Sequence, residues 1–220
     1  IVSNTAGVYD PQFPLLGTRG APASPFRFRG TTLIDWIRYA SPSSRALSVS
    51  RKDRGAILPL GRAMQPAFWY AETNGTFTTS KYYGDSLPEW VRAFNDRRLP
   101  HSWAGKSWDL LLDASQYPEP DTVVTEAGGR DYVFPHMLSS DPARAAADLR
   151  GTPMMDQFTV SFALEGVRQM RLGLGPQTDL LAVSLSATDA VGHSYGPDSR
   201  EIHDQILRLD RTLGAFFDSL

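Results

Sequence analysis

No cysteine occurs among the 220 residues. Disulfides and Cys-ligated metals are therefore excluded, although the absence does not by itself assign a compartment. No apolar run approaches the roughly 18 residues that a membrane-spanning helix needs. No signal-peptide pattern stands in the given residues. A strong excess of one charge is also missing. With 22 basic and 24 acidic side chains the formal net charge is −2, so nothing points to a general affinity for nucleic acid or anionic membrane. No P-loop, no G-x-G-x-x-G after a strand, no G-x-S-x-G and no H-E-x-x-H is found, which removes several enzyme classes. There is no internal repeat and no low-complexity tract.

What remains is the composition of an ordinary soluble globular protein, 41% hydrophobic and 21% charged. Residues 5–30 are rich in Gly, Pro and Arg and read as an extended surface loop. Thr32 with Asp35 predicts a capped helix through Ala40, ended by Ser41-Pro42. Residues 46–50 predict a strand. Residues 56–58 and 67–70 predict further short strands or buried segments. Asn74-Gly75 marks a hairpin, and Pro88 opens a helix to about Arg98 as its first residue. Residues 99–150 lack periodicity and read as an insertion or cap. Phe158, Phe162, Gly166, Val167 and Met170 share one face of a helix over roughly 155–172. A buried strand follows at 180–186. The last helix places Ile202, Ile206, Leu209, Leu213, Phe216 and Leu220 on one apolar stripe. Alternating α and β at both ends predict an α/β domain with a mainly parallel sheet. The chain starts at Ile1 without an initiator Met and stops at Leu220 inside a helical pattern, so an internal piece of a longer protein is expected.

Three constellations could carry chemistry. After the strand at 180–186 comes Asp189-Ala190-Val191-Gly192-His193, read as a D-x-x-x-H pair on a Gly-containing loop. Asp198 with Glu201 then reads as the capping box of the next helix. The C-terminal ends of strands are where open α/β sheets build sites. A carboxylate oxygen and an imidazole nitrogen together suit Zn²⁺; capping and turn roles are the alternative. The second constellation is Arg51-Lys52-Asp53-Arg54. Between residues 45 and 62 five basic side chains (Arg45, Arg51, Lys52, Arg54, Arg62) face the single acid Asp53, a local balance of +4. On an extended backbone Lys52 and Arg54 point to the same side, and such a pair suits a phosphate clamp; a solvated basic turn is the alternative. The third is Asn4, whose amide could donate to a developing negative oxygen, or could simply serve a turn. His101, His136 and His203 read as structural or solvated.

Taken together these residues resemble a known family. Ser50-Arg51-Lys52-Asp53-Arg54-Gly55-Ala56-Ile57-Leu58-Pro59, Ala67-Phe68-Trp69-Tyr70, Gly75-Thr76-Phe77 and Leu87-Pro88-Glu89-Trp90 are similar to zinc-dependent alkaline phosphatases of the type I phosphodiesterase/nucleotide pyrophosphatase branch, the PafA-like group. Asp189–His193 with Gly196-Pro197-Asp198-Ser199 resembles the branch's D-x-V-G-H-x-x-G-P-x-S signature, and Ile1-Val2-Ser3-Asn4 its G-I-V-x-N segment. The resemblance implies an alkaline-phosphatase-like α/β fold with helices on both faces of the sheet. It implies that 1–220 is part of one catalytic domain, with an insertion at about 99–150. By the same resemblance Asp189 and His193 bind one of two zinc ions, Lys52 and Arg54 contact phosphoryl oxygens, and Asn4 donates to the transferred phosphoryl group. The nucleophilic Thr and the other zinc ligands have no matching position here and are expected beyond both ends. The implied reaction is hydrolysis of phosphate monoesters through a phosphothreonine, in the periplasm or outside the cell. A diesterase or pyrophosphatase of the same superfamily, and a non-catalytic phosphate-binding remnant, are the alternatives. Two departures stand out. Residues 5–10 read Thr-Ala-Gly-Val-Tyr-Asp where a Trp-Tyr-Asp-like run is more usual. Leu60-Gly61-Arg62 replaces a small residue, Gly and His.

Overall fold

The computed structural model describes residues 7–220. In chain order the elements are α1 (Leu33–Ala40), β1 (Ala46–Ser50), α2 (Asp53–Ile57), β2 (Ala67–Ala71), β3 (Thr76–Thr78), α3 (Glu89–Asp96), β4 (Ser107–Trp108), β5 (His136–Met137), α4 (Pro142–Asp148), α5 (Met154–Met170), β6 (Leu180–Ser184), α6 (Ala187–Tyr195) and α7 (Arg200–Asp218), with short 3₁₀ turns between them. They form two compact units. The first is Ile1–Arg97 with Ser161–Ser184, and the second is Arg98–Val160 with Leu185–Leu220.

The first unit is built on a four-stranded sheet in the order β3-β2-β1-β6. Strands β2, β1 and β6 run parallel, and β3 returns antiparallel through the Asn74-Gly75 hairpin. Side chains alternate across β1 and β2, as a pleated strand requires. Ala46, Ala67 and Trp69 face the cluster of Ile34, Ile57 and Leu60, which α1 and the α2 region supply. Phe68, on the opposite face, meets Phe162 of α5 with ring centroids 5.5 Å apart. Phe162 also stacks on Phe77 at 3.8 Å. Gly166 of α5 lies against Leu47 and Trp90, where an added Cβ would collide with the Leu47 side chain. Helices therefore cover both faces, as the family resemblance implies.

The second unit packs α4, α6, α7 and the two-stranded β4–β5 ribbon around Trp108, Leu138, Leu149, Met154 and Val191. Its pivot is Asp204, fully buried on α7. The Asp204 carboxylate accepts from Trp108 Nε1, Tyr117 Oη and the backbone N–H of Leu111 at 2.7 Å each, and from Arg208 Nε at 2.6 Å. A buried carboxylate is tolerated only when its oxygens are satisfied in this way. The irregular stretch 99–150 supplies most of these partners and is thus ordered through polar contacts rather than periodicity.

Several expectations are corrected. The described part of the loop expected at 5–30, from residue 7 on, is tied down: Ser24 donates its backbone N–H to the Val8 carbonyl at 2.9 Å, Leu16 donates to Thr79 at 2.9 Å, and Val8, Asp10, Ala23 and Ser24 are buried. Residues 56 and 57 are helical, because β1 turns directly into α2. Pro88 caps α3 rather than opening it. On α7 the cap is Ser199, whose hydroxyl accepts from the Ile202 N–H at 3.1 Å, and not Asp198 with Glu201. Glu201 is turned inward to meet His136. The stripe on α7 is also reversed in part: Glu201, Asp204 and Gln205 are buried while Ile206 and Leu220 are exposed.

Candidate active site

The basic cluster sits on the turn between β1 and α2. Ser50, the last residue of β1, is buried, and its hydroxyl accepts from the Lys52 N–H at 3.1 Å. Asp53 opens α2, and its carboxylate accepts from the Arg54 N–H at 2.6 Å. Gly55 must be glycine here, because a Cβ would run into the hydroxyls of Ser50 and Ser184 at the ends of β1 and β6. The expected extended geometry is therefore wrong in its reason. Lys52 is extended, with φ −97° and ψ 140°, but Arg54 is already helical. The turn, not strand alternation, brings both side chains to one cavity.

That cavity measures about 480 Å³ and is lined by Arg19, Arg51, Lys52, Arg54, Tyr70 and Glu72 among others. Arg51 pairs with Glu72 at 3.3 Å, its side chain only 9% exposed. Burial first, and Glu72 second, push the Tyr70 phenol up, so it keeps its proton near neutral pH. Four cations against two carboxylates leave a net positive lining that suits an oxyanion.

The D-x-x-x-H pair lies in the second unit, and its local structure is also corrected. It is not on a loop: α6 runs through it. Ala187 and Val191, four residues apart, are both fully buried, and this packing outweighs the roughly 1 kcal/mol that Gly192 costs a helix. Asp189 and His193, also four apart, share a different and solvent-facing side. Asp189 Oδ1 lies 3.5 Å from His193 Nε2, with the side chains 49% and 82% exposed. Two corners of a tetrahedral zinc site with bonds of about 2.0–2.1 Å are about 3.3 Å apart. The donor types and their spacing thus fit two ligands of one divalent ion. Among the described residues no group of three or more His, Asp or Glu gathers to hold a metal. Asn4 lies outside the described residues.

Sequence reading missed Arg19, Glu72 and Tyr70 as cavity walls. Glu72 had a usable signal: β1 and β2 are parallel neighbours with Ser50 opposite Trp69, so residues just past both C-terminal ends meet. Arg19, in an aperiodic loop, had none. His136 was read as structural and is so. Its Nε2 is 2.9 Å from Glu201 and its Nδ1 is 3.1 Å from Asp131. Burial pulls the imidazole down, but these two hydrogen bonds and charges outweigh it and hold its pKa above the ordinary value.

The family model described as type I phosphodiesterase / nucleotide pyrophosphatase matches residues 44–220. Alkaline phosphatase PhoV of Synechococcus elongatus is 38% identical over 203 residues, covering 90% of this chain and 37% of that protein. Alkaline phosphatase PafA of Elizabethkingia meningoseptica is 37% identical over 204 residues, with the same two coverages of 90% and 37%. The crystal structure of wild-type PafA superposes with a TM-score of 0.88 at 34% identity, covering 97% of this chain and 43% of that one. A four-site mutant of PafA gives a TM-score of 0.90. The fold is thus alkaline-phosphatase-like α/β, and the chain spans well under half the length of these relatives.

Proposed function

We propose, because this chain belongs to the type I phosphodiesterase / nucleotide pyrophosphatase family, that it carries part of the active site of a zinc-dependent phosphate monoester hydrolase. The observation that supports this best is the cavity into which Lys52 and Arg54 are turned by Ser50 and Gly55. Lys52 and Arg54 bind the phosphoryl oxygens, the Arg as a fork and the Lys as a point charge. Asn4 donates its amide to the same group. Asp189 and His193 are two of the ligands of one of two zinc ions. When bound, zinc supplies Lewis-acid stabilisation and an activated oxygen nucleophile. The nucleophilic Thr lies outside this chain, in the same catalytic domain, of which 99–150 is an insertion. The protein works in the periplasm or outside the cell, as expected of this group. Among the described residues no helix is long and apolar enough to cross a membrane.

Charge decides between ester classes. A monoester presents two negative charges on its transferred group and a diester one, so a two-cation clamp gains more from the former. The test is Lys52→Ala with Arg54→Ala in the whole protein, comparing an aryl phosphate with an aryl methyl phosphate. Monoesterase kcat/KM is expected to fall far more than diesterase kcat/KM. Equal losses would remove the clamp from the mechanism.

A further inference from the structure

The clamp leaves one cation of the same cavity unexplained. Of the four that line it, Lys52 and Arg54 are taken by the phosphoryl group in the proposed function, and Arg51 is paired with Glu72. Arg19 comes from a different segment, the loop between Leu15 and Ala21, and lines the same cavity. Its guanidinium makes no ion pair and no hydrogen bond to another described residue; its contacts are through its carbonyl oxygen, which accepts from Thr18 and Thr73 at 3.4 and 3.3 Å.

The loop that carries Arg19 is held in place. Leu15 bridges to Ser80, and the Thr78 hydroxyl donates to the Leu16 carbonyl at 2.7 Å. The Asn74 amide donates to the Gly17 carbonyl at 3.4 Å. Gly17 takes a left-handed φ of 75°, and a side chain there would also strike Leu87. A Cβ on Gly20 would press on the end of the Leu15 side chain. The backbone is thus ordered before any ligand arrives, which lowers the entropy cost of using its side chain.

We propose that Arg19 forms a second anion subsite in this cavity, which reads a carboxylate or phosphate on the leaving group of the substrate. The inference rests on the monoesterase reading above. A cavity of about 480 Å³ has room for a small organic phosphate and not only for the phosphoryl group. An Arg with no carboxylate partner among the described residues, lining a site already charged for anions, selects substrates with two separated anionic ends.

The experiment compares matched esters in the whole protein. One pair is 3-phosphoglycerate against glycerol 3-phosphate, and the longer pair is 6-phosphogluconate against glucose 6-phosphate. In each pair the phosphate ester is alike and only one member carries a carboxylate. Arg19→Ala is expected to lower the ratio of kcat/KM, anionic over neutral, by about fivefold in at least one pair. Arg19→Lys should restore part of it. A ratio that Arg19→Ala leaves unchanged in both pairs overturns the subsite while the phosphatase reading stands. A whole protein that hydrolyses none of the four esters overturns both.

Discussion

Nε2 of His136 lies 2.9 Å from Oε1 of Glu201, and the two side chains are only 4% and 2% exposed. Asp131 holds the other ring nitrogen at 3.1 Å, and Tyr195 Oη approaches it at 3.5 Å. Glu126, nearby, is raised by burial first and then by Glu201. The imidazole is therefore buried among carboxylates that favour its protonated form. A pair of this kind is costly to break singly, because removing one partner strands the other charge.

The sign of its pH dependence follows. The folded-state pKa of His136 lies above its ordinary 6.5. Its contribution to stability is then fully present below about 6.5 and is lost as pH rises through the higher folded value. The Tm gap between the parent protein and His136→Gln should be widest near pH 6 and should narrow toward alkaline pH. Thermal melts in matched buffers check this. A gap that stays constant or widens with pH would show that the imidazole is neutral in the fold.

Much of this fold was legible because local and global signals agree. The capping box of Thr32 and Asp35 formed as read, with the Thr32 N–H donating to Asp35 at 2.8 Å. The apolar stretches at β1 and β2 became adjacent parallel strands. The failures share a cause. Where a residue's role depends on a partner far along the chain, periodicity says nothing about it. Glu201 looked like a cap residue and was drawn inward by His136, 65 residues away. Asp204 sits on the predicted apolar helix and is buried by Trp108, Tyr117 and Leu111. Asp189 and His193 were identified as a pair without their helix. Gly192 suggested a loop, and the burial of Ala187 and Val191 decided otherwise.

Gly55 supports a sharper test of the clamp. Gly55→Ala would force its Cβ against the hydroxyls of Ser50 and Ser184, and the turn carrying Lys52 and Arg54 must shift. Displacement of binding groups by about 1 Å can cost up to a hundredfold in rate, so kcat/KM for an aryl phosphate should fall roughly tenfold to a hundredfold. Adding Ser50→Ala removes one of the two hydroxyls and should recover part of the loss. It also removes the acceptor of the Lys52 N–H, so recovery is incomplete. If Gly55→Ala turns over like the parent, the turn is not what positions the clamp.

At the other end of β1 and β6, Arg45 and Asp179 make a linkage of opposite sign. Arg45 Nη2 is 2.6 Å from Asp179 Oδ2, and the backbone N–H groups of Arg45 and Gly173 also donate to the carboxylate at 2.8 and 3.0 Å. Burial raises the Asp179 pKa, but these donors outweigh it and bring it from 3.8 down to about 2. The stabilisation is present above about 3.8 and is lost as pH falls through about 2. Asp179→Asn should therefore lower Tm at pH 6, and the difference should shrink as acid is added between pH 4 and 2. A difference that does not change with acid would rule out the ion pair as its source.

Phe162 tests the core of the first unit. Its ring stacks on Phe77 at 3.8 Å and meets Phe94 at 5.1 Å, Trp90 at 5.0 Å and Phe68 at 5.5 Å. Phe162→Ala opens a cavity among rings that cannot close over it, with an expected loss of about 3–5 kcal/mol in chemical denaturation. Phe162→Leu keeps most of the volume and should lose much less. Similar losses for the two would mean that the surrounding rings do relax.

Asp189 and His193 are four residues apart on a helix, so the backbone sets their spacing before any metal binds. Their 3.5 Å separation is close to a tetrahedral edge, and both face solvent rather than the packed side of α6 that carries Val191. Neither side chain contributes to the buried core, so replacing one should affect metal affinity more than folding. In the whole protein, Asp189→Ala and His193→Ala should each weaken zinc binding by at least about a hundredfold, since even outer-shell changes cost ten- to a hundredfold. Zinc content by elemental analysis, after dialysis against a chelator of graded strength, reads this without relying on turnover. Thermal melts of the metal-free variants should match the metal-free parent within a degree or two, because exposed substitutions are usually worth less than about 0.5 kcal/mol. If both variants retain the parent's zinc content, the pair is a surface ion pair and the ligands lie elsewhere.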